Sequence, residues 1–196
     1  VTRFVLATHN AHKVEELRRI LGERLGEHEL VAYDGPDAIE DADTFEGNAL
    51  IKAREAFAHT GLPALADDSG ISVDALGGAP GIRSARYAGT RDDGDNLRLL
   101  LTNLEGVENR RARFVCAAAL VDGPVENGGE YVVRGEWPGT VLTAAAGEGG
   151  FGYDPVFRPD GETRSAAELS PAEKDATSHR FRAFAELVVE LRRRYG

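Results

Sequence analysis

One cysteine, one tryptophan, three lysines and no methionine occur among the 196 residues of this chain. The single Cys116 cannot close an internal disulfide and has no partner for a CxxC metal site, so nothing points to an oxidising compartment. It stands in the apolar run RFVCAAALV, where a free cysteine reads as a small buried hydrophobe and not as a catalytic thiol. No apolar run approaches the roughly 20 residues that cross a bilayer, and VTRFVLATHN lacks the apolar stretch and cleavage site of a signal peptide. The expectation is a cytoplasmic protein with no membrane partner. Positive charge is scarce: 23 Lys and Arg stand against 33 Asp and Glu, a net charge of -10. A general nucleic-acid binder, which presents a basic face to phosphate, is therefore disfavoured. A small anionic substrate is not, because screening over about 10 Å leaves the local cluster of charges to decide. GxxxxGK[ST], HExxH and EF-hand spacings are all missing, which removes a P-loop and the common metal motifs.

What is present suits one domain over residues 1–196, since 42% apolar residues at this length supply one sizeable core. FVLA (Phe4 to Ala7) reads as a buried strand, followed by Val14, Leu17, Ile20 and Leu21 at helical spacing up to Gly22. The turn between them, Thr8 to Lys13, places hydroxyl, amide and ammonium groups at a helix N-terminus, where the dipole and unpaired N–H groups favour an anion. A second helix is predicted from roughly Asn48 to Thr60, with Lys52 in its N-terminal half, and a third from the leucines Leu97 to Leu104. ALADDSGISV reads as two short strand-like pieces around Asp67 to Gly70, before a glycine and proline turn region. RARFVCAAALV and EYVVRGEW read as a hairpin, which makes the sheet mixed. Ser170-Pro171-Ala172-Glu173 matches a capping box with proline at the first helical position, and a last helix runs from Ser178. The fold class is α/β, a central mixed sheet flanked by helices.

Three features carry chemistry and each has a bland reading beside it. Asp67 and Asp68 are adjacent on a strand and point to opposite faces, so they cannot flank one bond as a glycosidase pair; a turn or surface role is the ordinary reading. Gly147 to Gly152 fits GxGxxG, but Pro155, Val156 and Phe157 open no helix, so the dinucleotide fingerprint is rejected. The segment instead offers Phe151 and Tyr153 to a planar base, or forms an aromatic turn in the core. Ser178-His179-Arg180 supplies donors at a helix start, although such a pair is ordinarily a solvated surface feature.

Taken in order, Thr8-x-Asn10-x-x-Lys13, Thr44-Phe45-x-x-Asn48-Ala49, Ala66-Asp67-Asp68-Ser69-Gly70, GGAPG-x-x-SARY, Trp137-Pro138-Gly139, GGFGYDP and Ser178-His179-Arg180 resemble the inosine triphosphatase family of non-canonical purine nucleotide pyrophosphatases. The motifs span nearly the whole chain. The resemblance implies an elongated two-lobed α/β domain with a cleft between the lobes, a homodimer, and magnesium-dependent hydrolysis of ITP, dITP or XTP to monophosphate and pyrophosphate. It also implies roles: Thr8, His9, Asn10, Ala11, His12 and Lys13 as a phosphate loop, Lys52 as a further phosphate contact, Glu40 and Asp68 as magnesium ligands, and Asp68 as general base. Ser69 would touch substrate. Phe151, Gly152, Tyr153, Asp154, Lys174, His179 and Arg180 would form the nucleobase end. His9 and His12 stand where relatives commonly have small residues, and Gly47 where they often have glutamate. A pyrophosphatase for other modified nucleotides and a non-catalytic nucleotide binder are the alternative functions.

Two physical arguments accompany the resemblance. Magnesium takes few protein carboxylates and keeps water and phosphate oxygens, so Glu40 and Asp68 suffice. Hypoxanthine and xanthine carry an oxygen at C6 where adenine carries an amine, so donors aimed there reject adenine strongly. Rejecting guanine requires that Asp154, an acceptor, be engaged elsewhere than at the 2-amino group.

Overall fold

The computed structural model describes residues 1–196. Its strands are β1 (Arg3–Leu6), β2 (Glu29–Ala32), β3 (Ala64–Val73), β4 (Arg111–Val121), β5 (Glu130–Val141) and β6 (Phe157–Pro159). Its helices are α1 (Ala11–Leu21), α2 (Phe45–Thr60), α3 (Asp93–Asn103), α4 (Pro171–Asp175) and α5 (His179–Tyr195). The six strands form one sheet in the order β2-β1-β3-β4-β5-β6. β1 pairs in parallel with both β2 and β3, whereas β5 and β6 are antiparallel, so the sheet is mixed as the sequence predicts. No helix is long and apolar enough to cross a membrane.

Local chemistry sets the helix ends. Asn10 caps α1 by accepting from the Lys13 N–H at 3.2 Å, and Thr44 caps α2 by accepting from Gly47 at 3.0 Å. α2 therefore starts three residues before the expected Asn48, because its signal is the cap and not the alanine stripe. At α4 both capping-box bonds form, Glu173 N–H to Ser170 Oγ and Ser170 N–H to the Glu173 carboxylate. ADDSG corrects the sequence reading: it lies inside the single continuous strand β3 and not in two pieces. Gly70 permits this, since a Cβ there would collide with Gly81 O and Ser84 Oγ.

The chain folds into two compact units. The first comprises Val1–Asp68, Cys116–Gly135 and Arg180–Gly196. Its core gathers Phe4 and Leu6 of β1, Leu17, Ile20 and Leu21 of α1, Cys116, Ala118 and Leu120 of β4, and Phe184, Leu187 and Leu191 of α5. Each large side chain buried there contributes about 1.5–3 kcal/mol. α2 turns Ala49, Ala53 and Ala56 inward, all fully buried, and these small residues let it lie close to β1. The second unit comprises Ser69–Val115 and Glu136–His179. Its core is richer in aromatics: Phe114, Trp137, Tyr153 and Phe157 pack with Leu100, Leu104, Ile71 and Val156.

Candidate active site

Strand alternation places Asp67 and Asp68 on opposite faces of β3, and their partners follow suit. The Asp67 carboxylate accepts from Lys13 Nζ of α1 at 3.1 Å and from Arg180 Nε of α5 at 3.3 Å. Arg180 in turn donates to Glu16 of α1 at 3.0 Å. Asp68 instead accepts from Lys52 Nζ of α2 at 3.1 Å, and the same ammonium lies 3.0 Å from Glu40. The first unit thus holds two neighbouring charge clusters, one on each face of a strand. Lys13, Lys52 and Arg180 balance all but one of the carboxylates Glu16, Glu40, Asp67 and Asp68, which leaves a net negative site.

Electrostatics separate the two aspartates. Burial pushes Asp67 up, but the charges of Lys13, Arg180 and Lys52 outweigh it and hold the carboxyl well below the usual range. Asp68 moves the other way: burial raises it, the pull of Lys52 and Lys13 does not fully compensate, and Glu40 adds repulsion. Lys52 is raised although burial opposes it, because Asp68, Asp67 and Glu40 surround it with negative charge. Asp68 Oδ2 is buried without a hydrogen-bond partner. A buried carboxylate oxygen left bare is unusual and marks a position for a water or a cation. With Glu40 on the same ammonium, the donor set fits a magnesium ion, although no third Asp, Glu, His or Cys joins them.

The predicted phosphate loop is a built turn. The Thr8 N–H donates to Leu6 O at 2.9 Å, the Asn10 N–H to Thr8 Oγ1 at 3.1 Å, and Asn10 caps the helix. Ala11 and His12 form the exposed first turn of α1, and His9 bonds Asp37 at 2.7 Å. Thr8 and Asn10 therefore shape the loop with their side chains, and Lys13 is the ammonium that the loop brings to Asp67.

The second unit contains Ser69, the residue after Asp68 on β3, and the aromatic loop. Asp154 is buried and accepts from Lys174 Nζ at 2.7 Å and from the Phe151 N–H at 3.0 Å. Its carboxylate is thus engaged within the protein. Gly150 sits at φ +68°, and a Cβ there would meet Asp154 Oδ2, so glycine is needed for this approach. Lys174 is itself buried, its ammonium 4.9 Å from the Phe151 ring centroid. The Gly152 N–H donates to Asp93 at 2.8 Å. His179 is buried and stacks on Phe114 with ring centroids 4.8 Å apart.

Tyr153 and Arg180 are both buried. Tyr153 is not a free stacking surface: its ring lies in the core and its hydroxyl donates to Ser84 O at 2.7 Å. Arg180 is buried and bound to Glu16 and Asp67, where a rigid fork can bridge two carboxylates. Phe151 is partly exposed. Sequence reasoning missed Glu16, whose signal was its position one helical turn after Lys13, and Asp93, which is 59 residues from Gly152 and left no signal.

An α/β protein with a mixed sheet, two lysines set against two adjacent aspartates, and a glycine-rich aromatic loop is the class that these features define. The model of the Ham1 family matches residues 4–190, and the chain belongs to that family. It is 53% identical over 195 residues to the dITP/XTP pyrophosphatase of Leifsonia xyli subsp. xyli, covering 98% of this chain and 96% of that one. To the dITP/XTP pyrophosphatase of Streptomyces coelicolor it is 51% identical, with full coverage of both chains. Among solved structures, a HAM1 protein from Coxiella burnetii superposes with a TM-score of 0.88 at 39% identity, covering 98% of this chain and 100% of that one. A nucleoside-triphosphatase, also titled dITP/XTP pyrophosphatase, from Mycobacterium abscessus gives 0.74 at 47% identity, covering 95% and 98%.

Proposed function

We propose that residues 1–196 act as one catalytic domain that hydrolyses non-canonical purine nucleoside triphosphates, ITP, dITP and XTP, to the monophosphate and pyrophosphate. The observation that carries this reading is Lys52 held between Glu40 and Asp68, with one Asp68 oxygen bare. The names of the curated relatives supply the substrate class. Glu40 and Asp68 would hold Mg2+, which when bound supplies positive charge to the phosphate oxygens.

In this mechanism the loop from Thr8 to Lys13 receives the polyphosphate, and Lys13 and Lys52 offset its charge. Asp68 orients a water against the α–β anhydride and takes its proton. The water oxygen bonds to phosphorus as the bridging P–O bond breaks, and pyrophosphate leaves. Asp68 suits this role because one of its oxygens is held by Lys52 while the other has no hydrogen-bond partner. Phe151 offers its ring face to the base, while Asp154 and Lys174 brace the loop from below. The protein works as a homodimer in the cytoplasm.

Pyrophosphate release from ITP, XTP, dITP, GTP and ATP, with magnesium and with chelator, tests the proposal. Rapid magnesium-dependent turnover of the first three, lost in Asp68→Asn, is the expected result. Equal turnover of GTP and ITP would remove the base-selection argument, and no turnover of any would remove the mechanism.

A further inference from the structure

Glu40 lies in a stretch without helix or strand, residues 33–43, so something other than secondary structure must aim it at Lys52. One anchor is downstream: Asn48, buried on α2, accepts from the Ala42 N–H at 3.0 Å. The upstream anchor is built on Tyr33. Its ring is buried, stacks on His9 with centroids 5.4 Å apart and a 21° tilt, and meets His59 of α2 edge-on at 5.8 Å. Its hydroxyl donates to Pro36 O at 3.0 Å, and its ring lies so close over Gly35 that no Cβ would fit there. His9 then reaches past the ring to Asp37, donating from Nδ1 at 2.7 Å.

We infer that His9, Tyr33 and Asp37 form a clasp that ties the phosphate loop to the segment carrying Glu40, and that His9 and Tyr33 are positioning residues for that carboxylate. The inference rests on the reading of Glu40 as a magnesium ligand. It differs from it in giving His9 a task beyond phosphate contact. His9 comes from the residue after Thr8, so the loop that receives phosphate and the segment that supplies the carboxylate share one ring stack. The His9 to Asp37 bond is exposed, with side-chain accessibilities of 43% and 90%, and an exposed pair of this kind changes an equilibrium by roughly two- to fivefold. The clasp is therefore a bias on the position of Glu40 and not a requirement for folding. Tyr33, buried and in contact with both histidines, is its fixed part.

The test is a double-mutant cycle read by metal binding. Mn2+ is titrated into the full chain by electron paramagnetic resonance with inorganic tripolyphosphate present, for wild type, His9→Ala, Asp37→Asn and the double variant. Asp34→Asn removes the same charge from the same segment without touching the clasp, and Tyr33→Phe removes only the bond to Pro36. Each clasp variant is expected to weaken Mn2+ by about two- to fivefold, the double variant no more than either single one, and Asp34→Asn by less than twofold. In turnover assays Asp37→Asn, which lies outside the phosphate loop, should recover the wild-type kcat at high Mg2+, a recovery that a general loss of structure does not give. Additive effects in the cycle, an equal loss in Asp34→Asn, or no Mn2+ binding by wild type would each overturn the clasp. Failure of the pyrophosphatase reading is seen separately, as wild type that binds Mn2+ and tripolyphosphate but releases no pyrophosphate from any nucleotide.

Discussion

The Lys174 ammonium donates to the Asp154 carboxylate at 2.7 Å, with both side chains buried and the Phe151 ring above the ammonium. Removing one partner of a buried ion pair strips the other of its countercharge, which costs about 3–5 kcal/mol, whereas replacing both by apolar groups is often close to neutral. Asp154→Ala is therefore expected to lose most of that stability in urea unfolding, and Asp154→Leu with Lys174→Met to recover much of it. The single variant also removes the acceptor that holds the Phe151 N–H and the Lys174 ammonium, so its ratio of GTP to ITP turnover should change. An unchanged ratio in a folded Asp154→Ala protein would show that this carboxylate plays no part in choosing the base.

Asp68 gives a prediction with a sign. Its folded proton affinity is raised, chiefly by burial, so the folded state binds its proton more tightly than the unfolded chain does. Ionising it works against folding at neutral pH, and that penalty disappears as pH falls below the unfolded carboxyl value of about 3.9. Asp68→Asn, measured without divalent cation, should be more stable than wild type at pH 7, with the difference closing toward pH 3. Activity moves oppositely: it should fall on the acid side as Asp68 protonates, and Asp68→Asn should lose about 100-fold or more in kcat. In Lys52→Met the acid limb should shift to higher pH, because the main charge opposing protonation is gone. A limb that stays in place would detach Lys52 from the titrating group.

The parts of this fold legible in sequence are those with a local cause. The capping box at Ser170 reads directly and forms both bonds, whereas the Thr44 cap lies outside the alanine stripe that suggests a start at Asn48. Strands β2 and β6 leave no readable signal because four and three residues are too few for a period to show. β3 reads as broken because ADDSG looks like a turn, and only the approach of Ser84 to Gly70 explains a glycine inside a strand. At the site, Lys13, Lys52 and Asp68 stand out as scarce or clustered charges, but the direction of Arg180 does not. Its partner Glu16 lies 164 residues earlier, and no spacing rule spans that distance.

Cys116 lies fully buried on β4 with its thiol 3.9 Å from the Asp67 carboxylate. Burial pushes the thiol far up, and Asp67 adds to the effect, so little thiolate exists at neutral pH. Reaction with a disulfide reagent should therefore follow global unfolding, and Cys116→Ala should keep wild-type kcat. Fast labelling of native protein would contradict the burial.

Arg180 bridges Glu16 and Asp67 with almost no exposure, and Asp67 also holds Lys13. Arg180 is a buried countercharge to both carboxylates, so Arg180→Met, which removes one side of that network, should cost about 3–5 kcal/mol. Arg180→Lys should recover little, because one ammonium cannot reproduce the fork that reaches both carboxylates. The acid response follows from Asp67, whose folded proton affinity is depressed. The stability it contributes is complete above the unfolded value of about 3.9 and is lost as pH falls toward the folded one. Urea midpoints from pH 7 to pH 2 should therefore fall steeply in wild type below about pH 4 and less steeply in Asp67→Asn, which has no such proton to take up. Parallel curves for the two proteins would mean that the buried network is held by packing, with Asp67 contributing no pH-dependent term. If the curves diverge as expected, Lys13, which shares the Asp67 carboxylate, stands on an acid-sensitive support, and activity lost below pH 4 should in part be recovered on returning to pH 7.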